Sequence, residues 1–201
     1  MRSAALRLLA VVSVLTAMVL LMSCSGAKPD AQPSASASET PAITGEPPGS
    51  NGSDVSFATN MLQHHQQSID LSALVPDRSA NADVVALAQS ITAARRPEIE
   101  TMKVLLVQWK ESPDTGNGES NDPAQGMIDA ATVAQLKTMS GQDFDVLWLQ
   151  SMIAHAQGAV ATAKVEGTNG DNVDAIALAN RTVKEQQAEI AQLQQILAAG
   201  G

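Results

Sequence analysis

The sequence is poor in cysteine, aromatic residues and positive charge. Its 201 residues include one cysteine, no tyrosine, two phenylalanines and two tryptophans. One cysteine cannot form a disulfide bond within the chain. Lys and Arg number 12 against 21 Asp and Glu, which gives a formal net charge of −9. This balance argues against nucleic-acid binding, because phosphates attract clustered basic side chains and single strands need aromatic rings to stack on.

Motifs of common enzyme classes are also missing. The sequence contains no nucleophile elbow, no phosphate-binding glycine loop and no cysteine-based zinc pattern. The basic pair Arg95-Arg96 is expected to lie on a solvated surface, where it could form salt bridges with acids on a neighbouring helix. We therefore expect a protein without enzymatic activity.

The N-terminus has the pattern of an export signal. Two arginines precede an apolar run from Leu8 to Met22, and the single cysteine, Cys24, follows that run. A positive start and a short apolar run are typical of signal peptides. We predict a lipoprotein signal peptide over residues 1–23, with Cys24 acylated (for example with palmitate) at the extracytoplasmic face of a bacterial cell membrane. The alternatives are an ordinary signal peptide with an incidental cysteine and an uncleaved membrane anchor.

The next segment separates the predicted lipid from the folded part. Residues 24–53 begin with the predicted lipidated cysteine and continue with many Ser, Pro, Ala and Gly residues. Such a composition is too polar to bury a core, so we predict a disordered tether. The remaining stretch, residues 54–201, has the usual size of one domain.

An internal repeat is the most informative feature of this domain. The segment MLQHHQ that begins at Met61 returns 91 residues later as MIAHAQ, which begins at Met152. Between residues 61–106 and 152–197, 11 of 46 aligned pairs are identical without a gap. A gapless register of this length predicts a duplicated helical hairpin.

Apolar residues recur at helical spacing in both copies. No segment shows the alternation of a strand, so we predict an all-α, four-helix bundle of two duplicated hairpins, plus a short connecting helix. A pseudo-twofold axis between the hairpins would bring the two histidine motifs face to face. The predicted helices run from Asp54 to Val75, from Ser79 or Asn81 to Lys110, from Met127 to Lys137, from Phe144 to Glu166, and from Asn172 onward.

All three histidines lie in the repeated motif. Met61 lies one helical turn before His64 and His65, and Met152 lies one turn before His155, so thioether and imidazole share a helix face. Reduced copper favours soft sulfur and imidazole ligands, which makes these five residues candidate copper ligands. The alternatives are that the methionines fill the core and that the imidazoles form hydrogen bonds across the bundle.

Three acidic residues could support this set. Asp70 would be a harder additional ligand, and Glu98 and Glu189 each follow the first histidine of their repeat by 34 residues. On the second helix of a hairpin, such a glutamate could orient an imidazole through its other nitrogen. The alternative is an exposed helical glutamate. A di-iron site is disfavoured, because methionine replaces the glutamate of a Glu-x-x-His motif before His64 and His155.

The histidine motifs carry a family resemblance. The segments over residues 57–69, 98–109, 140–160 and 187–190 resemble the secreted bacterial family called domain of unknown function 305, and the resemblance covers nearly all of residues 54–197. The resemblance implies a ferritin-like bundle at the cell envelope, in a family some of whose members look like periplasmic copper-binding proteins. Ala156 stands where the family usually repeats histidine, and Leu71 and Thr162 stand where relatives often have methionine. These departures leave fewer soft ligands.

Two main functional hypotheses follow from the sequence. The first is a membrane-anchored lipoprotein that binds or buffers a transition metal, with copper as the first candidate. The second is a structural or protein-interaction module of the envelope without a metal, whose protein partner the sequence does not identify. A redox or hydrolytic metalloenzyme is a weaker third hypothesis, since no substrate-binding feature is visible.

Overall fold

All regular structure in the described part of the chain is helical. The structure, a computed structural model, describes residues 49–113 and 125–200. The prediction of an all-α bundle is confirmed. The long helices, α1, α2, α4 and α5, form the bundle, α3 is the short connecting helix, and a single 3-10 turn at Val75–Asp77 follows α1. The five α-helices are α1 Gly52–Ser72, α2 Ala82–Gln108, α3 Ala130–Thr138, α4 Gly141–Asn169 and α5 Val173–Ala198.

Several predictions concern residues outside the described ranges. These are the signal peptide over residues 1–23, the acylation of Cys24 and all but the end of the tether. Within the described ranges, none of the helices is both long and apolar enough to cross a membrane.

Asparagines begin three of the four long helices. Asn51 accepts hydrogen bonds from the amides of Ser53 and Asp54, and Asp54 accepts one from the Asn51 amide, which completes a capping box. This cap begins α1 two residues before the predicted start. Asn81 and Asn172, which the 91-residue offset relates, cap α2 and α5 as predicted.

The helices pack as two hairpins that meet along α1 and α4. Helix α1 packs against α2, α4 packs against α5, and α1 also contacts α4. The Trp148 indole near the start of α4 donates to the Leu71 carbonyl near the end of α1, at 3.1 Å. Ser53 at the start of α1 donates to Glu166 near the end of α4, at 2.8 Å. The two central helices therefore run antiparallel.

The core consists of two apolar clusters with polar residues between them. On α1 the first cluster includes Met61 and the second includes Leu71, and on α4 the second includes Met152 and the first includes Ala159. The histidines fall between these positions on both helices. The fold thus encloses imidazoles between two apolar layers at the middle of the bundle.

Candidate metal centre

The structure brings together the two histidines that the duplication relates. The Nδ1 atom of His64 lies 3.2 Å from the Nε2 atom of His155. Their ring centroids are 4.5 Å apart, and the ring planes are inclined by 64°. Both side chains are buried, with 0% and 1% exposure. The pair lies where α1 and α4 cross the centre of the bundle.

The hydrogen bonds of His64 assign its tautomer. Its Nε2 atom lies 2.8 Å from the carbonyl oxygen of Gln125, which can only accept, so Nε2 carries the hydrogen. In a neutral ring Nδ1 then holds the lone pair. His155 therefore donates from Nε2 to His64 Nδ1, and the two rings form a directed chain that ends at Gln125.

Burial keeps this pair neutral. Desolvation lowers the pKa of His64 to about 4, although the hydrogen bond to Gln125 opposes the shift. Desolvation, followed by the neighbouring His64, His65 and Arg95, holds the pKa of His155 well below its ordinary value. Neutral imidazole is the form that binds metals. Neither ring would therefore have to lose a charge at neutral pH before it could coordinate an ion.

The spacing of the two nitrogens suits a shared ion. Two nitrogens that each lie about 2.0 to 2.1 Å from a tetrahedral ion are about 3.3 Å apart. The observed separation between His64 Nδ1 and His155 Nε2 is 3.2 Å. To bind there, His155 would have to move its hydrogen from Nε2 to Nδ1, which frees the second lone pair.

The third histidine contacts a carboxylate. The Nε2 atom of His65 lies 2.7 Å from Oε2 of Glu98, and its Nδ1 atom has no hydrogen-bond partner among the described residues. Desolvation lowers the pKa of His65, while Glu98 opposes the shift. A neutral ring whose Nε2 hydrogen faces the carboxylate presents a lone pair on Nδ1. This is the outer support that metal-binding histidines usually have.

The predicted exposure of Arg95 is wrong, whereas the predicted salt bridge to an acid on a neighbouring helix is present. The side chain is 1% exposed instead of lying on a solvated surface, whereas Arg96 is exposed as expected. Arg95 contacts Glu98 at 3.5 Å and also pairs with Glu189, and Arg181 lies 3.7 Å from the other oxygen of Glu98. The spacing of Arg95 and Glu98, three residues apart on one helix, was the available sequence signal.

The arginines set the charge of Glu98. Burial alone raises the pKa of this carboxyl group, but the contact with His65 and the charges of Arg95 and Arg181 outweigh burial and hold the pKa below its usual value. Glu98 is therefore an anion beside a neutral imidazole, enclosed in the bundle. The glutamate, the arginines and His65 form one buried polar network.

Two predicted supporting residues do not contact a histidine. Glu189 pairs with Arg95, and burial raises its pKa although Arg95 opposes the shift. Asp70 is exposed on α1 and accepts a hydrogen bond from Gln66 at 2.9 Å. The expectation that Asp70 adds a hard ligand to the histidines is therefore not met.

The donor set of this centre excludes a carboxylate-rich site. Across residues 49–113 and 125–200, no three His, Cys, Asp or Glu side chains are placed to hold a metal ion. Met61 and Met152 are both 0% exposed, one turn before His64 and His155 on the same helices. The buried side chains one turn before the paired imidazoles are therefore thioethers, and thioether with imidazole is a soft ligand set.

A short segment covers the histidine pair. A Cβ atom on Gly158 would lie 2.5 Å from Gly126 Cα and still closer to the Gln125 carbonyl oxygen. The side chain of Gln67 donates to the Ile128 carbonyl at 2.9 Å and accepts from its amide at 2.8 Å. Gln67 and Gly158 occupy equivalent positions in the two repeats. Residues 125–128 are therefore held by equivalent positions on both central helices, by Gln67 on α1 and by Gly158 on α4.

The three departures from the family pattern occupy different surroundings. Leu71 and Ala156 are buried in the bundle. Thr162 lines a groove of about 780 Å³ that also reaches Gln125 and Glu166. Relative to the family pattern, the chain lacks a methionine sulfur at Leu71 in the core and at Thr162 in the groove, and it lacks an imidazole at Ala156.

The comparisons with known proteins agree with the fold. The family model for the domain of unknown function DUF305 matches residues 54–197. No curated protein matches the sequence at a comparable level. This family has no assigned activity, so the match supports the helical architecture. The function has to be inferred from the residues of the site.

Solved structures with the same architecture include proteins with bound metal. A DUF305 fragment from Deinococcus radiodurans is 30% identical, with a TM-score of 0.69, and the match covers 76% of this chain and 99% of that one. A DUF305 protein from Streptomyces coelicolor, described as secreted, is 28% identical, with a TM-score of 0.68 and coverage of 74% and 94%. CopM in its Cu(II)-bound form is 28% identical, with a TM-score of 0.63 and coverage of 73% and 96%, and CopM is also known in Cu(I)-bound and silver-bound forms.

Proposed function

This chain belongs to the DUF305 family, and we propose that it is a lipid-anchored protein of the cell envelope that binds or buffers copper, in particular Cu(I). One observation carries the proposal: two neutral, buried imidazoles have nitrogens 3.2 Å apart, and each follows a buried methionine by one helical turn. Neutral imidazole and thioether are the ligands that reduced copper prefers.

The proposal gives each side chain a role. His64 Nδ1 and His155 Nε2 supply nitrogen, and Met61 and Met152 supply sulfur. His65, whose Nε2 faces Glu98 at 2.7 Å, is left outside the ligand set, because no three His, Cys, Asp or Glu side chains of the described residues are placed around one ion. CopM, which resembles this chain, binds both copper and silver, and silver shares the preference of Cu(I) for soft ligands.

Metal titration tests the proposal directly. The full-length chain is titrated with Cu(I) under anaerobic, reducing conditions against a chromophoric Cu(I) chelator, and in parallel with Ag(I) and Zn(II). We expect Cu(I) and Ag(I) to bind and Zn(II) to bind far more weakly. The double variant His64→Gln, His155→Gln should lose this binding while it keeps its helical circular dichroism.

The matched control lies on the same helix. Asp70→Ala removes an exposed carboxylate that the structure keeps apart from the histidines, so its Cu(I) affinity should equal that of the wild type. If the double histidine variant took up Cu(I) as the wild type does, the proposed site would be wrong.

The buried network supports a second candidate function. Arg95, Glu98 and Glu189 link α2 to α5 through ion pairs between side chains, which suits a structural or protein-interaction module. In that case added Cu(I) leaves the melting temperature of the wild type unchanged. A protein that binds an ion in its folded state alone is instead stabilised as the ion concentration rises.

A further inference from the structure

Two buried carboxyl groups meet at the end of the bundle where α1 begins and α4 ends. Asp54 in the first turn of α1 and Glu166 in the last turn of α4 are both 0% exposed. The two side chains interact with each other, and the buried Oε1 atom of Glu166 has no hydrogen-bond donor among the described residues. Glu166 also accepts a hydrogen bond from the Ser53 hydroxyl at 2.8 Å. Neither carboxyl group has a role in the histidine centre.

Asp54 is surrounded by backbone donors. It accepts hydrogen bonds from the amides of Asn51 at 2.6 Å, Asn172 at 2.9 Å and Asp171 at 3.2 Å. Burial raises the pKa of Asp54, but the hydrogen bonds from Glu166 and these amides outweigh burial and lower it. A carboxylate with this many donors is held in its ionised form.

Glu166 lies in the opposite environment. Burial and the adjacent Asp54 raise its pKa to about 7, although the Ser53 hydroxyl opposes the shift. The neighbouring helices present further acids, Asp171 and Asp174 at the start of α5. Within the described residues, no lysine, arginine or histidine pairs with Asp54 or Glu166. Two carboxyl groups in contact without a basic partner cannot both ionise readily.

We propose that Glu166 is protonated and donates a hydrogen bond to the ionised Asp54. This carboxyl pair, called the clamp below, then holds α1, α4 and the start of α5 together in a pH-sensitive way. Asp54 extends the clamp to α5 through the amides of Asp171 and Asn172. Loss of the proton places two anions in contact and repels the end of α4 from the start of α1.

A proton suits this pair better than a metal cation. Calcium takes six to eight oxygen ligands, and magnesium requires a near-octahedral set. The lone pairs of Asp54 are largely occupied by backbone amides, and Ser53 already donates to Glu166. Too few oxygens therefore remain to surround a hard cation.

The direction of the pH effect follows from the raised pKa. In the unfolded chain Glu166 ionises near 4.5, whereas in the folded chain it ionises at about 7. The folded state therefore binds more protons between these values, and its stability falls as the pH rises through this range. Glu166 and Gln125 line the same groove. Repulsion between the two carboxylates would therefore loosen the structure next to residues 125–128, which cover the histidine pair.

Thermal unfolding of the full-length chain across this pH range tests the clamp. Glu166→Gln keeps a donor for Asp54 and an acceptor for Ser53 but cannot ionise. Relative to this variant, the folding equilibrium of the wild type should weaken between about tenfold and a hundredfold from pH 5 to pH 8. Glu100→Gln, on the exposed face of α2, should leave the wild-type pH profile unchanged.

Carbon NMR of the wild type tests the clamp even if Glu166→Gln folds poorly. The carboxyl carbon of Glu166 in the wild type should titrate near neutral pH by NMR, and a midpoint near 4.5, its value in the unfolded chain, would overturn the clamp. Parallel stability profiles for wild type and Glu166→Gln would also overturn it. So would stabilisation of the wild type alone by calcium or magnesium at pH 8, because the pair would then hold a cation.

Discussion

His65 and Glu98 form a buried contact, at 2.7 Å, that the second repeat cannot form. Ala156 stands at the position equivalent to His65, and Glu189, the equivalent of Glu98, pairs with Arg95 instead. The two hairpins therefore share apolar positions but use their central glutamates differently. One glutamate supports an imidazole, and the other neutralises a buried arginine.

The first prediction concerns Glu98. Glu98→Gln should lower the free energy of unfolding by about 1 to 3 kcal/mol, because it removes the charged partner of His65 and Arg95, while Arg95 still pairs with Glu189. Chemical denaturation measures this change. Glu100→Gln, which removes an exposed partner of Lys103, should change the stability by less than about 1 kcal/mol. Equal effects of the two variants would show that the buried network does not stabilise the fold.

The second prediction concerns Gly158. Gly158→Ala places a Cβ atom against the backbone of Gln125 and Gly126, which cannot move aside as a flexible side chain would. The covering segment should shift, the hydrogen bond from His64 to Gln125 should break, and the melting temperature should fall. The imidazole Nε2 hydrogen of His64, visible by NMR when it is protected, should then exchange rapidly with solvent.

A second glycine provides the control for this variant. Gly52→Ala lies in the first turn of α1 with open space around the added methyl group, so its stability should be unchanged or slightly raised. An unaltered His64 resonance in Gly158→Ala would indicate that the segment does not depend on this close approach.

The sequence predicts the regular parts of this structure because regular parts follow local rules. Helical periodicity locates the long helices, and the gapless repeat indicates that His64 and His155 are equivalent. Asn81 and Asn172 are recognisable caps because asparagine satisfies free amides at a helix start. These properties depend on neighbours along the chain.

Other features depend on contacts between distant segments. Nothing near Arg95 in the sequence shows which acid of a neighbouring helix will face it or that the pair will be buried, so its charge indicated a surface position. In the sequence, Gly158 resembles any other glycine within a helix, and only the structure shows that the Gln125 backbone packs against it. The proton on Glu166 follows from Asp54, 112 residues earlier in the chain. Each of these results requires the tertiary fold.

The third prediction concerns the pH dependence of the imidazoles. The pKa of His64 is about 4 in the folded protein against 6.5 for an ordinary histidine, so its ring should remain neutral at pH 5. Because the folded pKa is depressed, stability from this group is present above 6.5 and is lost as the pH falls toward 4. The Glu166→Gln variant isolates this trend, since the carboxyl clamp has the opposite slope.

NMR of the ring carbons distinguishes the outcomes for each histidine. The resonances of His64 and His155 should not move between neutral pH and about pH 5, whereas a solvated imidazole would protonate in that range. Binding of Cu(I) should also persist to about pH 5. A midpoint near 6.5 for either ring would contradict the neutral, buried pair.

The fourth prediction separates the two roles of the methionines. Met61→Leu together with Met152→Leu conserves side-chain volume, so each change should lower the free energy of unfolding by less than about 1.5 kcal/mol. Leucine has no donor atom, so affinity for Cu(I) and Ag(I) should fall even though the core remains filled. Met102→Leu, another fully buried methionine and one outside the histidine motifs, is the control and should keep the wild-type affinity. If the double variant bound both ions as the wild type does, Met61 and Met152 would be core residues and the ion would be held by imidazole alone.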